Sequence, residues 1–135
     1  MNIFNENTQV IENTISGQIV DAAIEVHRHL GGPGLLESVY ELCLVCELQS
    51  RGILVQRQLI LPILYKGVEV GAPLKIDLLV GGKVIVEVKA TEKDCPIYKA
   101  QLLTYLRLSN LKLGLLINFG KDRVINGTCR VVNGL

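Results

Sequence analysis

Tryptophan is absent from the chain, and Phe and Tyr together make up only 4% of its 135 residues. That rules out a broad base-stacking platform of the kind that binds single strands without sequence preference. Charge of one sign is equally scarce, with 14 Lys and Arg against 13 Asp and Glu and a formal net charge of +1. A general basic excess therefore cannot hold nucleic acid, and any such partner needs a local group of cations. No apolar run approaches the roughly 18 residues of a membrane span. The opening "MNIFNENTQV" has neither the basic n-region nor the apolar h-region of a secretory leader. The expectation is a cytoplasmic protein with no membrane partner. Internal repeats, low-complexity tracts and linkers are also missing, so residues 1–135 read as one domain.

What is present is a large apolar content: 49% of residues are hydrophobic and 20% charged, with a mean hydropathy of +0.36. Such a chain is globular, and at this length it buries about two thirds of its unfolded surface. Its four cysteines, Cys43, Cys46, Cys95 and Cys129, read as reduced. Cys43-x-x-Cys46 has the spacing of half a zinc or redox site, but no second pair completes a tetrahedral set, which leaves a core role. His27 and His29 are two apart on a helix, point to different faces and make a poor metal pair.

From about residue 8 to 30, Ile15, Ile19, Ala22, Ala23, Val26 and Leu30 recur at three- and four-residue steps, which predicts an amphipathic helix. "GGPG" (31–34) stops it. A second helix over about 36–50 runs through Val39, Tyr40, Leu42, Cys43, Cys46 and Leu48. "ILVQRQLILPILYKGVEVG" then supplies two strands, with Pro62 suited to an edge or bulge. A hairpin around Gly81-Gly82, a helix over about 96–108 and the strands in "LKLGLLINF" and "RVINGTCRVVN" complete an ααββββαββ order. That order describes an α/β (α+β) fold, a mixed sheet flanked by helices.

The hairpin "KIDLLVGGKVIVEVKA" carries Asp77, Glu87 and Lys89 in a Val/Ile/Leu run. Alternation puts Lys75, Asp77 and Leu79 on one face and Leu74, Ile76, Leu78 and Val80 on the other, with Val84, Val86 and Val88 apolar on the partner strand. The two apolar faces coincide only if the loop has an odd number of residues. A loop of Val80, Gly81 and Gly82 satisfies this, pairs Asp77 with Ile85 and makes Glu87 its diagonal neighbour at roughly 7 Å. Two carboxylates then converge beside a Val-rich core, where they repel and raise each other's pKa. A hard divalent cation such as Mg²⁺ resolves this. Lys89 adds an ammonium that can orient water or stabilise charge on a phosphate. The alternative is a satisfied ion cluster at a solvated strand end.

These blocks, with "GLLESVY" (34–40), "AQLLTYL" and "LGLLINFG", resemble the PD-(D/E)XK nuclease superfamily and within it the small GxxExxY proteins. The resemblance implies an αβββαβ core with Mg²⁺, or Mn²⁺ in its place, held by Asp77 and Glu87, with Lys89 catalytic. It implies Glu37 as a further acidic ligand from the preceding helix, and Gln101 and Tyr105 as a Q-x-x-x-Y element at the site or on the substrate. Lys75 stands where many relatives carry Arg, so it keeps a phosphate-attracting charge without the bidentate fork. The residues themselves agree: Gln101 and Tyr105 are four apart and Glu37 and Tyr40 three apart, each pair on one helix face. Glu37 also suits a helix first turn for its dipole alone, and Gln101 and Tyr105 suit a buried hydrogen-bonding pair.

The expected function is Mg²⁺-dependent hydrolysis of phosphodiester bonds in DNA or RNA. The alternative is a catalytically inactive nuclease-fold module that binds nucleic acid or a protein partner, which could also supply specificity. A homodimer paired through "ILVQRQLILPILY" is a third expectation.

Overall fold

The computed structural model describes the backbone of residues 3–135 and the side chains of residues 11–135, so the side chains of the opening stretch lie outside it. The first helix, α1 (Ile3–His29), buries Ile19, Ala22, Ala23 and Val26. Gly31 and Gly32 adopt positive φ at its end, where the Gly32 amide donates to the His27 carbonyl (2.8 Å).

In α2 (Glu37–Ser50) the buried stripe is Tyr40, Leu44 and Leu48, with Glu41 beside it. Leu42 and Cys46, expected in the core, are exposed; this helix is apolar on most sides, and pattern alone does not choose its inner stripe. All four cysteines are free thiols.

The segment expected to give two strands gives one strand, β1 (Val55–Leu61), and a short hairpin of β2 (Leu64–Tyr65) and β3 (Val68–Glu69) turning at Lys66-Gly67. The strands β4 (Leu74–Val80) and β5 (Val84–Lys89), the helix α3 (Pro96–Ser109) and the strands β6 (Leu113–Asn118) and β7 (Thr128–Val132) follow. Five of them form a mixed sheet in the order β1-β4-β5-β6-β7, antiparallel except for β5 and β6. The parallel pair needs a crossover, and α3 provides it.

Helices cover both faces. Val80, Val84, Val86, Val88, Leu113, Leu115 and Ile117 pack under α1 and α2, whereas Ile85 and Leu116 pack under Leu102 and Leu106 of α3. A Cβ at Gly114 would meet the Leu102 side chain at 2.8 Å, so this glycine lets α3 lie close on β6. Because β5 and β6 are covered on both sides, they read as continuous apolar runs rather than alternating ones.

Two details of the hairpin differ from expectation. The loop has three residues, but they are Gly81, Gly82 and Lys83, since Val80 pairs with Val84 and Leu78 with Val86. Both glycines take positive φ, and the Lys83 amide donates to the Val80 carbonyl (3.1 Å). Ile76 packs in the α3 layer, whereas Leu78 packs in the α1/α2 layer. Between the Arg57–Leu78 and Leu59–Ile76 pairs lies Gln58, whose φ of 55° breaks the alternation, so β1 and β4 exchange faces there.

Candidate active site

The site forms where β4 and β5 part. Their ladder ends at Leu78 and Val86, and one further step places Asp77 across from Glu87 rather than across from Ile85. There the side chains replace the ladder. The Asp77 amide donates to Glu87 Oε1 (3.2 Å), and the Val88 amide donates to Asp77 Oδ2 (2.9 Å). Each carboxylate is thus fixed by backbone of the opposite strand. The pair is closer than the diagonal register predicts.

Glu87 is only 8% exposed. Burial pushes its carboxyl up to about 9, the neighbouring Asp77 charge and hydrogen bond add to this, and the Asp77 amide and Lys89 oppose it. The acid therefore keeps its proton at neutral pH. Lys89, at the end of β5, holds its Nζ 4.4 Å from the centre of the Tyr98 ring, a cation–π contact.

Glu37 stands exposed in the first turn of α2, where its charge also suits the helix dipole. Partial burial raises its carboxyl; Lys89 lowers it, and Asp77 and Glu41 raise it further. It therefore feels the pair. Yet among the described residues no three His, Cys, Asp or Glu side chains converge closely enough to hold an ion. Asp77, Glu87 and Glu37 do not form such a group, although Glu37 lies near enough to Asp77 and Lys89 to feel both charges.

The loop before α2 explains the spacing of "GLLESVY". Tyr40, fully buried, donates its hydroxyl hydrogen to the Gly32 carbonyl (2.7 Å) and accepts from the Leu35 amide (3.2 Å). Gly34 holds a φ of 119°, which a Cβ would strain. The glycine and the tyrosine thus set the loop that presents Glu37. Tyr40 also stacks on Phe119 (4.8 Å), and buried His27 places Nε2 3.1 Å from the Phe119 carbonyl.

On α3, Tyr105 is half-buried and faces the pair: burial raises its phenol, and Glu87 and Asp77 raise it further. Gln101, one turn earlier, is exposed and forms no hydrogen bond among the described residues, so the alternative reading of Gln101 and Tyr105 as a buried hydrogen-bonding pair does not hold. Lys75 is exposed on β4, across from Ile60, with no ion pair among the described residues.

Three residues at the site escape a reading of the sequence. Glu41, 4% exposed, pairs with Arg57 (3.0 Å) and accepts from the Gln58 amide (2.7 Å), which also reaches toward Asp77 Oδ1 at 3.5 Å. The signals for them are the i,i+4 spacing of Glu37 and Glu41 and the polar "QRQ" interrupting β1. Behind Lys89, buried Asn118 accepts from the Thr91 (3.0 Å) and Gly120 (2.9 Å) amides and donates to the Thr91 carbonyl (3.0 Å). This clamp fixes the chain as it leaves β5.

Two acids and an E-x-K lysine at the parting of antiparallel strands, with helices on both faces, define a nuclease-type α/β fold whose αβββαβ core is α2, β1, β4, β5, α3 and β6. Residues 13–131 match the model of the PD-(D/E)XK nuclease superfamily, and the chain belongs to that superfamily. No curated protein and no solved structure matches it. Among the described residues no helix is long and apolar enough to cross a membrane.

Proposed function

We propose that this chain is a Mg²⁺-dependent nuclease of the GxxExxY group that hydrolyses phosphodiester bonds of DNA or RNA, with Mn²⁺ able to replace Mg²⁺. The observation that carries this reading is the Asp77–Glu87 pair, two hard oxygen donors held together with one of them buried against its own charge. A divalent ion fits that donor set: it takes one or two carboxylates and fills its remaining positions with water and phosphate oxygens. Asp77 and Glu87 would hold it, and Glu37 would join through water. When bound, the ion polarises the phosphate and lowers the pKa of its water.

The remaining work falls to the chain's own groups. Lys89 places its ammonium beside the reacting phosphate, where it orients the attacking water and offsets developing negative charge. Tyr98 holds that ammonium and Asn118 fixes the backbone behind it. Tyr105 presents its phenol to the same space, while exposed Gln101 and Lys75 are free to contact the nucleic-acid backbone.

Labelled single- and double-stranded DNA and RNA should be cut with Mg²⁺ or Mn²⁺, and Lys89→Met should reduce the rate at least a hundredfold with its circular dichroism unchanged. Unimpaired cutting by Lys89→Met sinks the assignment. The lack of a third converging acid favours one other reading, an inactive module that binds nucleic acid or a protein partner. Binding without metal-dependent cutting by the wild type selects it.

A further inference from the structure

A cavity of about 310 Å³ opens beside Lys89, on the β6 and β7 side of the carboxylate pair. Its other walls include Tyr98 and Lys99 of α3, Leu116 of β6, and Asn126, Thr128 and Cys129 leading into β7. Lys89, Tyr98 and Asn118, which serve the hydrolysis described above, form one part of its wall, and the rest of the cavity has no role in that reaction.

Three features restrict what it takes. Its volume lies at the lower end for small-molecule sites, so it admits one compact group and excludes a duplex. Its lining is apolar at Tyr98, Leu116 and Cys129 and polar at Asp94, Asn118 and Asn126. The Asn126 side-chain carboxamide makes no hydrogen bond among the described residues, leaving a donor and an acceptor together. Donor and acceptor beside an apolar slot suit the edge and faces of a nucleobase. Finally, Lys89 lines both the cavity and the proposed reaction space, so the occupant is joined to the reacting phosphate within about one nucleotide.

We infer that this cavity is a subsite for a single unpaired nucleobase flanking the scissile phosphate, which makes an unpaired strand or flap the substrate rather than intact duplex. The inference rests on the nuclease reading. A base in a duplex must be unpaired and unstacked before it enters, whereas one in a single strand is already free. Lys99, exposed on the adjoining turn of α3, lies where it can meet the neighbouring phosphate.

The test combines cleavage with binding. Oligonucleotides of one sequence, presented as single strand, flap and blunt duplex, are cut with Mg²⁺ by the wild type, Cys129→Phe, which fills the cavity, and Asn126→Ala, which removes the free amide from an exposed position. In parallel, a nucleoside 5′-monophosphate is titrated without metal into the same proteins and followed by amide chemical shifts. The expected results are at least a tenfold preference of the wild type for the single strand and flap, and its loss in Cys129→Phe. Asn126→Ala should lower the single-strand rate severalfold, and the nucleotide should shift the Tyr98, Thr128 and Cys129 amides in the wild type alone. Equal cutting of all substrates, or a preference unchanged in both variants, overturns the subsite while leaving the nuclease reading intact. If the wild type cuts nothing, the nuclease reading falls, and the titration still decides the cavity. Should Cys129→Phe not fold, Asn126→Ala carries the result.

Discussion

Replacing Glu87 with Gln should stabilise the metal-free protein, and the gain should grow with pH. In the folded chain this carboxyl stays protonated up to about 9, whereas in the unfolded chain it ionises near its ordinary value of 4.5. Between those limits unfolding releases a proton that the native state retains. A raised folded-state pKa therefore gives stability that is complete below the unfolded value and falls as pH rises toward the folded one, by about 1.36 kcal/mol per pH unit. At pH 7.5 the full linkage is about 4 kcal/mol, and relaxation around the buried group brings the expected loss to about 2–4 kcal/mol. Gln copies the protonated acid in shape and does not titrate.

With an unfolding entropy of about 2.1 cal/mol/K per residue, each kcal/mol moves the Tm of this chain by about 3.5 °C. Glu87→Gln should then melt about 7–14 °C above the wild type at pH 7.5 in chelator, and only about 2 °C above it at pH 5. Calorimetric melts at pH 5, 6, 7 and 8 read this directly. A Tm difference that is the same at pH 5 and pH 8, or a lower Tm for Glu87→Gln throughout, refutes the reasoning. On the proposed metal site, adding Mg²⁺ should raise the wild-type Tm and leave Glu87→Gln nearly unmoved, because an ion held by this carboxylate would stabilise the native state and Gln offers no such ligand.

Asp77→Asn removes the second cause of the Glu87 shift, so melts of that variant should depend less steeply on pH than those of the wild type, and an equal slope would contradict the coupling. Tyr40→Phe leaves the Gly32 carbonyl and Leu35 amide without their partner and should cost about 1–2 kcal/mol in denaturant unfolding. A matching loss of cleavage is expected, since the same loop presents Glu37. Gly120→Ala would drive a Cβ into the Thr91 backbone behind Lys89 and should cost about 1–3 kcal/mol, with a Tm unchanged from wild type as the contrary result.

The hairpin shows how far the sequence reaches. Parity alone requires a loop with an odd number of residues, and the structure has three. Yet Val80–Gly82 and Gly81–Lys83 are both three-residue loops, and both give the glycines the turn. A slip of two residues preserves every face, so alternation cannot choose between them. Burial chooses: Val80 is fully buried and Lys83 exposed, so the strand keeps the valine and the loop takes the lysine. That step moves Asp77 from diagonal to opposite Glu87. The exchange of faces at Ile76 is beyond any local pattern, since it follows from the left-handed backbone of Gln58 on a strand 18 residues earlier. Glu41 and Arg57 are hidden for the same reason: their partnership spans 16 residues and exists only once β1 packs beside α2.

The alternative reading of the hairpin charges is a satisfied ion cluster at a solvated strand end. Such a cluster would pair Lys89 with Asp77 or Glu87. The ion pairs among the described residues are Arg28–Glu25, Arg51–Glu47, Arg57–Glu41 and Lys121–Asp94, and none includes a hairpin charge. Lys89 instead rests on an aromatic ring, and Glu87 is buried against Asp77, with backbone amides and the Gln58 side chain rather than a cation around the pair. Selection for stability alone favours an apolar residue at position 87, since a buried acid kept from ionising weakens the fold at neutral pH. Acids arranged to repel, with a cation nearby but withheld from pairing, make sense when a further positive charge and an anionic substrate complete the set. The same arrangement accounts for the thermal signature expected of Glu87→Gln, so one set of melts weighs the structural account against the functional one.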